Sequence, residues 1–305
     1  MSISTINGSI TKEKLGMTHI HEHLSIDLSG QKKDLDAKFD DIEAIIEEMK
    51  ILKNKGIDTI VDVTNRGMGR DVAAMKRVAD ATGMNVIAST GFYKEPYLPS
   101  YVYSMEVNDI VKLLIADIRE GIDGSEVKAH VIGEIGTGKD SITPMELKML
   151  NIAAMAHMET GKPLSTHTTL GILALEQLKV FKGYGIDPSK IVIGHLDLNC
   201  DIDYHLRIAD TGCFMAFDTI GKLNYQPDEK RIENIRELIN RGHLSQIVLS
   251  QDITRKSHLK VNGGIGYSYM MDSFIPRLMA AGVGEKDINH MLCSNPARLL
   301  DVQEG

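Results

Sequence analysis

The chain has 305 residues, 43% hydrophobic and 25% charged, with 5% aromatic residues and no tryptophan. That composition belongs to a globular protein with a sizeable core and excludes a disordered or fibrous chain. The 42 acidic residues outnumber the 34 basic ones, and a formal charge of -8 argues against nucleic acid as the partner.

Cys200, Cys213 and Cys293 form no CxxC pair and are odd in number, which points to a reducing compartment rather than a disulfide framework. The first residues lack a basic stretch leading into an apolar one, and no run of about 18 apolar residues occurs anywhere. The expectation is a cytoplasmic protein with a small-molecule substrate and no membrane segment; a homo-oligomer is left open.

Asn7-Gly8 marks a hairpin turn within a segment of about residues 1–16. Thereafter a short β-rich run alternates with a longer helical pattern, eight times over. The β-rich runs are 18–24, 58–64, 85–91, 130–135, 163–168, 191–196, 213–218 and 246–251. After the first, Ile42, Ile45, Ile46, Met49 and Leu52 mark one face of a helix over 41–53 that stops at Gly56. Similar patterns occupy 71–82, 109–120, 144–160, 171–182, 201–210, 228–241 and 267–281, with a final helix at 285–292.

Eight strand–helix units at this spacing predict an α/β protein whose whole length, 1–305, forms a single (β/α)8 TIM barrel. The alternative is an open doubly wound sheet, but no GxGxxG or Walker loop supplies its usual cofactor signature.

In a barrel, reactive groups gather where strands end. The first run carries His19, His21, Glu22 and His23; the fourth ends in Glu134, the fifth in His167, the sixth in His195 and the eighth in Asp252. Alone, a buried histidine is more often a packed side chain, and an aspartate caps a turn as readily as it binds metal. Converging on one rim, imidazoles and carboxylates make a donor set for zinc, manganese, iron or cobalt, and six donors suit two ions, with Glu134 able to lie between them. His19 lies deeper in its strand and reads as core. His130, His157, His205, His243 and His290 fall at strand starts, in helices or after them, and read as structural or surface residues.

His21-Glu22-His23, Gly133-Glu134-Ile135-Gly136, Ser165-Thr166-His167-Thr168, Gly194-His195 and Asp252-Ile253-Thr254 together resemble the phosphotriesterase family of the amidohydrolase superfamily. The likeness is strongest to the branch called phosphotriesterase homology proteins, through 217–222, 257–260 and Asn262-Gly263-Gly264. The resemblance implies that His21, His23 and Asp252 bind a more buried metal, His167 and His195 a more exposed one, and that Glu134 bridges them where many relatives use a carbamylated lysine. It also implies a hydroxide made between two divalent ions, zinc first, with Asp252 as the catalytic group that carries its proton to the leaving group.

Hydrolysis of a lactone or other carboxylic ester is the expected reaction. An N-acyl amide, weak phosphotriester cleavage and a non-catalytic binding barrel are the alternatives. Arg66, Tyr93, Lys222, Arg255 and Lys256 stand in rim loops that gather positive charge in an acidic chain, which fits an anionic substrate. The glycine-bearing stretch 254–267 is a candidate lid.

Overall fold

A computed structural model describes residues 2–302. Among the described residues twelve strands occur in chain order: β1 (Ile3–Thr5), β2 (Gly8–Ile10), β3 (Met17–Glu22), β4 (Ile26–Asp27), β5 (Lys38–Phe39), β6 (Ile57–Asp62), β7 (Asn85–Thr90), β8 (Val131–Thr137), β9 (Leu164–Thr168), β10 (Ile191–Gly194), β11 (Phe214–Phe217) and β12 (Ile247–Leu249). Eight of them form one sheet in the order β12-β11-β10-β9-β8-β7-β6-β3, paired in parallel throughout. The sheet curls almost into a closed barrel with helices around it, the architecture the alternation predicts.

Helix starts and stops follow their sequence signals. Asp41 caps Ile42–Asn54 through its side chain, and Ile45, Ile46, Met49 and Leu52 are buried on the inner face. Pro144–Thr160 begins with a capping box between Thr143 and Glu146 and stops at Gly161, whose φ of 68° suits a residue without a Cβ. The pattern at 267–281 resolves as a π-turn, Met270–Phe274, leading into Ile275–Ala280. The final helical stretch runs on past 292, through His290–Ser294 and Asn295–Leu300.

Side chains divide between two cores. The larger lies between strands and helices; the smaller fills the barrel with Ile20, Val61, Val63, Ile87, Val131, Val192, Phe214, Ala216 and Val248. The two-residue spacing within β11 is that of one strand face. Ile3 of the N-terminal hairpin and Leu299 and Leu300 near the other end join the inner cluster and stopper the barrel at the strands' N-terminal ends. With that end filled, the opposite rim is left for chemistry. No helix among the described residues is long and apolar enough to cross a membrane.

Candidate metal centre

Local backbone irregularities aim the donor side chains. The β3–β6 register shifts between His19 and Glu22, and the β8–β9 register shifts between Ile132 and Ile135, either side of Glu134. Such irregularities re-aim a side chain that regular pleating would send elsewhere. Gly133 has φ 147°, and a Cβ there would stand 2.1 Å from the Ser165 carbonyl oxygen, so only glycine fits beside Glu134. His195 and Asp252 lie just past β10 and β12 in the left-handed region, at φ 60° and 53°. These turns direct both side chains back over the barrel mouth.

The six predicted donors come together. His23 Nε2 lies 3.2 Å from Asp252 Oδ1, and His21 Nε2 lies 3.8 Å from the same oxygen. Glu134 stands in the middle: Oε1 is 3.5 Å from His23 Nε2, while Oε2 is 3.5 Å from His21 Nε2, 3.1 Å from His167 Nδ1 and 3.6 Å from His195 Nε2. Two compact donor groups result, His21/His23/Asp252 and Glu134/His167/His195. A third grouping, His21/His195/Asp218, is of another kind, because Asp218 already binds both rings at Nδ1. That contact leaves each Nε2 facing the cluster, the tautomer a metal needs. His23 Nδ1 is likewise engaged, 2.7 Å from Thr64 Oγ1.

The charges fit a cation. Burial would protonate Glu134, yet His21 and hydrogen bonds from His167 and His195 hold its carboxyl well below the usual range. Asp252 is buried too, and Lys222 and His23 hold it low. Burial disfavours the protonated forms of His21 and His195, but Asp218 together with Glu134 outweighs it and raises both. Three ionised carboxylates within one buried cluster thus draw positive charge onto imidazoles, the charge divalent ions would supply. His167 differs: burial and His195 push it down to about 3, leaving a neutral ring. His21 Nε2, fully buried, has no hydrogen-bond partner. An orphaned nitrogen aimed between two carboxylates is what a ligand position looks like.

Above the cluster opens a cavity of about 550 Å³, lined by His23, Glu134, His167, His195 and Asp252 at its floor. Of the residues expected to meet substrate, Tyr93, Lys222 and Arg255 line it; Arg66 and Lys256 do not. Arg66 is held by Asp117, with contacts of 3.1 and 2.5 Å, and Lys256 pairs with Asp40 at 3.2 Å. Sequence could not show these acidic partners, which lie 51 and 216 residues away. Arg255, though at the cavity, also pairs with Asp34 and Asp36, tying the loop after β12 to the loop after β4. His19 is fully buried against Glu22, at 3.0 Å, as expected of core. A larger groove of about 1320 Å³ beside the β1–β2 hairpin contains none of the six donors.

Asp218 and His258 lie within 217–222 and 257–260, two of the words that carry the family likeness, but the sequence assigns neither a role at the site. Asp218 stands at a strand end but shares no motif with the histidines it orients. His258 lines the cavity and accepts the Thr254 N–H at Nδ1, so its neutral ring carries the proton on Nε2. Burial and Lys222 lower its pKa to about 4. Tyr225 and Tyr97 add apolar wall.

Residues 1–300 match the model of the phosphotriesterase family. The phosphotriesterase homology protein of Escherichia coli is 44% identical over 283 residues, covering 93% of this chain and 97% of that protein. Its crystal structure, with phosphate in the active site, superposes with a TM-score of 0.93 at 43% identity, covering 94% of this chain and 99% of the other. An N-acetyltaurine hydrolase of Dictyostelium discoideum is 32% identical, with 98% of each chain covered. A phospho-furanose lactonase of Mycoplasmopsis synoviae is 35% identical, covering 98% and 92%. The chain therefore belongs to the phosphotriesterase family and is a metal-dependent hydrolase.

Proposed function

We propose that this protein hydrolyses a small anionic lactone, or another carboxylic ester, at a site of two divalent metal ions. One observation carries the reading: two donor groups meet at Glu134 on the floor of a cavity whose wall presents Lys222, Arg255 and His258. His21, His23 and Asp252 would hold one ion and His167 and His195 the other, with Glu134 shared. Zinc is the first choice for this nitrogen and oxygen set, and manganese, iron and cobalt also suit it. When bound, such ions supply a water acidified towards neutral pH and a positive charge beside the substrate's oxygen.

The protein's own groups complete the reaction. Asp252 turns Oδ1 to His23 and Oδ2 to Lys222. Its carboxylate, held ionised, is placed to take a proton from the attacking water at Oδ2 and return it to the leaving alkoxide. Lys222, Arg255 and the His258 Nε2–H provide donors for an anionic substituent. Burial, with Glu134 nearby, raises Tyr93 well above the ordinary phenol range, so its hydroxyl stays protonated as a donor. Ile26, Leu28 and Met68 line the same space and would pack against the ring.

The relatives support an anionic ester: one is named a phospho-furanose lactonase, and another was crystallised with phosphate in its active site. An N-acyl amide is the second reading, favoured by the relative named an N-acetyltaurine hydrolase. The deciding experiment assays protein reconstituted with zinc or manganese against phosphorylated lactones, neutral lactones, N-acyl amino acids and sulfonates, and a phosphotriester. The proposal expects kcat/KM to be highest for a phosphorylated lactone. A higher value for an amide would install the second reading, and no turnover of any class, with metal bound, would make the barrel a binding protein.

A further inference from the structure

We propose that Glu22, the residue between His21 and His23, is a positioning residue that holds Asp252 in its left-handed turn. The proposal rests on the reading of Asp252 as a metal ligand. Glu22 is completely buried, and its carboxylate faces the end of β12 rather than the cavity. Oε1 accepts the Gln251 N–H at 2.9 Å, and Oε2 accepts the Ile253 N–H at 3.0 Å. The two residues flanking Asp252 are therefore fastened to one side chain.

Asp252 needs such fastening. Its φ of 53° places a non-glycine residue in a region that L-amino acids seldom occupy. β12 ends at Leu249, and among the described residues no ladder joins β12 to β3, so backbone pairing does not fix this turn. The Glu22 carboxylate replaces that ladder at the barrel's open seam. Its remaining neighbours are also buried: Ser250 Oγ at 2.9 Å and His19 Nδ1 at 3.0 Å. His195, the other donor in a left-handed turn, is fastened by the same device, its N–H donating to the buried Asp218 at 2.9 Å. A buried carboxylate thus grips the backbone at each strained donor, at His195 itself and on either side of Asp252.

The arrangement also couples the two strands. Glu22 is covalently between His21 and His23 and hydrogen-bonded on either side of Asp252, so the three side chains of one donor group share a single rigid clamp. A clamp acting only as barrel glue would affect stability without regard to Asp252; a positioning residue acts through it.

Glu22→Gln separates these roles, because it preserves volume but turns one acceptor into an N–H donor facing a backbone N–H. Two measurements apply. In the metal-free protein, amide hydrogen exchange at Gln251 and Ile253 should quicken at least tenfold relative to the β11 amides. In cobalt titrations of the same protein, followed by visible absorption, wild type should bind two ions, and Glu22→Gln should weaken one of them about 10–100-fold, the range for an outer-shell partner.

In an Asp252→Ala background the added Glu22→Gln change should have no further effect on cobalt affinity, whereas a purely structural role predicts additive losses. Glu22→Asp retracts both acceptors and is read in the same way if the glutamine variant does not fold. Unchanged exchange at residues 251 and 253, or additive losses in the double variant, would overturn the proposal. Wild type binding fewer than two ions, with exchange quickened as expected, would overturn the metal reading and leave the clamp standing.

Discussion

Asp218 grips His195 at two points: one oxygen lies 2.9 Å from the backbone nitrogen and 2.8 Å from ring Nδ1. Its second oxygen lies 3.1 Å from His21 Nδ1, so a single carboxylate orients one histidine from each donor group. Asp218→Asn preserves this shape but presents an N–H₂ group to one of two Nδ1–H donors, which forces that ring to change tautomer or turn away. Outer partners of this kind carry about 10–100-fold in metal affinity. Competition against a chromophoric chelator should therefore show zinc affinity reduced by about that factor, with the circular dichroism spectrum unchanged. Affinity equal to wild type would mean that the rings keep their orientation without Asp218.

Lys222 is 7% exposed and sits against Asp252 at the cavity wall. Its charge has two tasks there: holding the carboxylate ionised and drawing in an anion. Lys222→Met keeps the apolar stem and removes both. For an anionic lactone KM should rise about tenfold or more, as expected for loss of a charge-assisted contact worth roughly 1.5–3 kcal/mol. For a neutral lactone of the same ring size it should change less than about twofold. The acid limb of kcat should also move to higher pH, because removing the neighbouring ammonium lets burial raise Asp252. Equal KM changes for both lactones would take Lys222 out of substrate recognition.

The barrel was legible because its signals are local. Apolar spacing in 41–53, the cap at Asp41, and Thr143-Pro144 with Glu146 each specify an element without reference to the rest of the chain. The convergence of the six side chains was legible because strand ends meet in this topology, so sequence position stood in for spatial position. Arg66 and Lys256 show where that proxy fails. Both stand in rim loops, but direction is set by Asp117 and Asp40, and nothing in the sequence brings those pairs together. The roles of Glu22 and Asp218 escaped for a related reason: each hydrogen-bonds to the end of a neighbouring strand, over separations of 231 and 23 residues. The short β4–β5 pair, two residues a side, is too brief to leave a periodicity.

Arg231 is buried behind the site, donating from Nε to Asp197 at 2.7 Å, from Nη1 to Asp228 at 3.1 Å and from Nη2 to Thr219 Oγ1 at 2.9 Å. Asp197 also accepts the Asp218 and Thr219 N–H groups, at 3.3 and 3.1 Å, so this network underpins the backbone that carries Asp218. Arg231→Leu leaves the buried Asp197 without its cation and Asp228 with Arg277 alone. Breaking such a network costs about 3–5 kcal/mol. Urea unfolding should register a loss in that range, and Arg231→Lys, which restores the charge but not the fork, should recover only part of it. A loss below about 1 kcal/mol would show that water replaces the guanidinium.

At the opposite end of the barrel, His130 joins the two termini. Its Nε2 donates to the Leu300 carbonyl at 2.8 Å, and its Nδ1 accepts the Ser4 N–H at 3.2 Å. A ring that donates at one nitrogen and accepts at the other is neutral, and burial, helped by Lys162, pushes its pKa down to about 3. In the unfolded chain the imidazole titrates near ~6.5. Because the folded value is the lower, the unfolded state takes up the proton first on acidification. The stabilisation is therefore complete above about pH 6.5 and lost progressively as pH falls towards about 3. At roughly 1.4 kcal/mol per pH unit, this residue should account for a loss of about 2 kcal/mol between pH 7 and pH 5. His130→Gln retains a donor for Leu300 but has nothing to titrate. Its unfolding free energy, from urea curves at the two pH values, should fall by about 2 kcal/mol less than wild type does, and identical pH slopes for the two proteins would mean that His130 does not set the acid sensitivity of the fold.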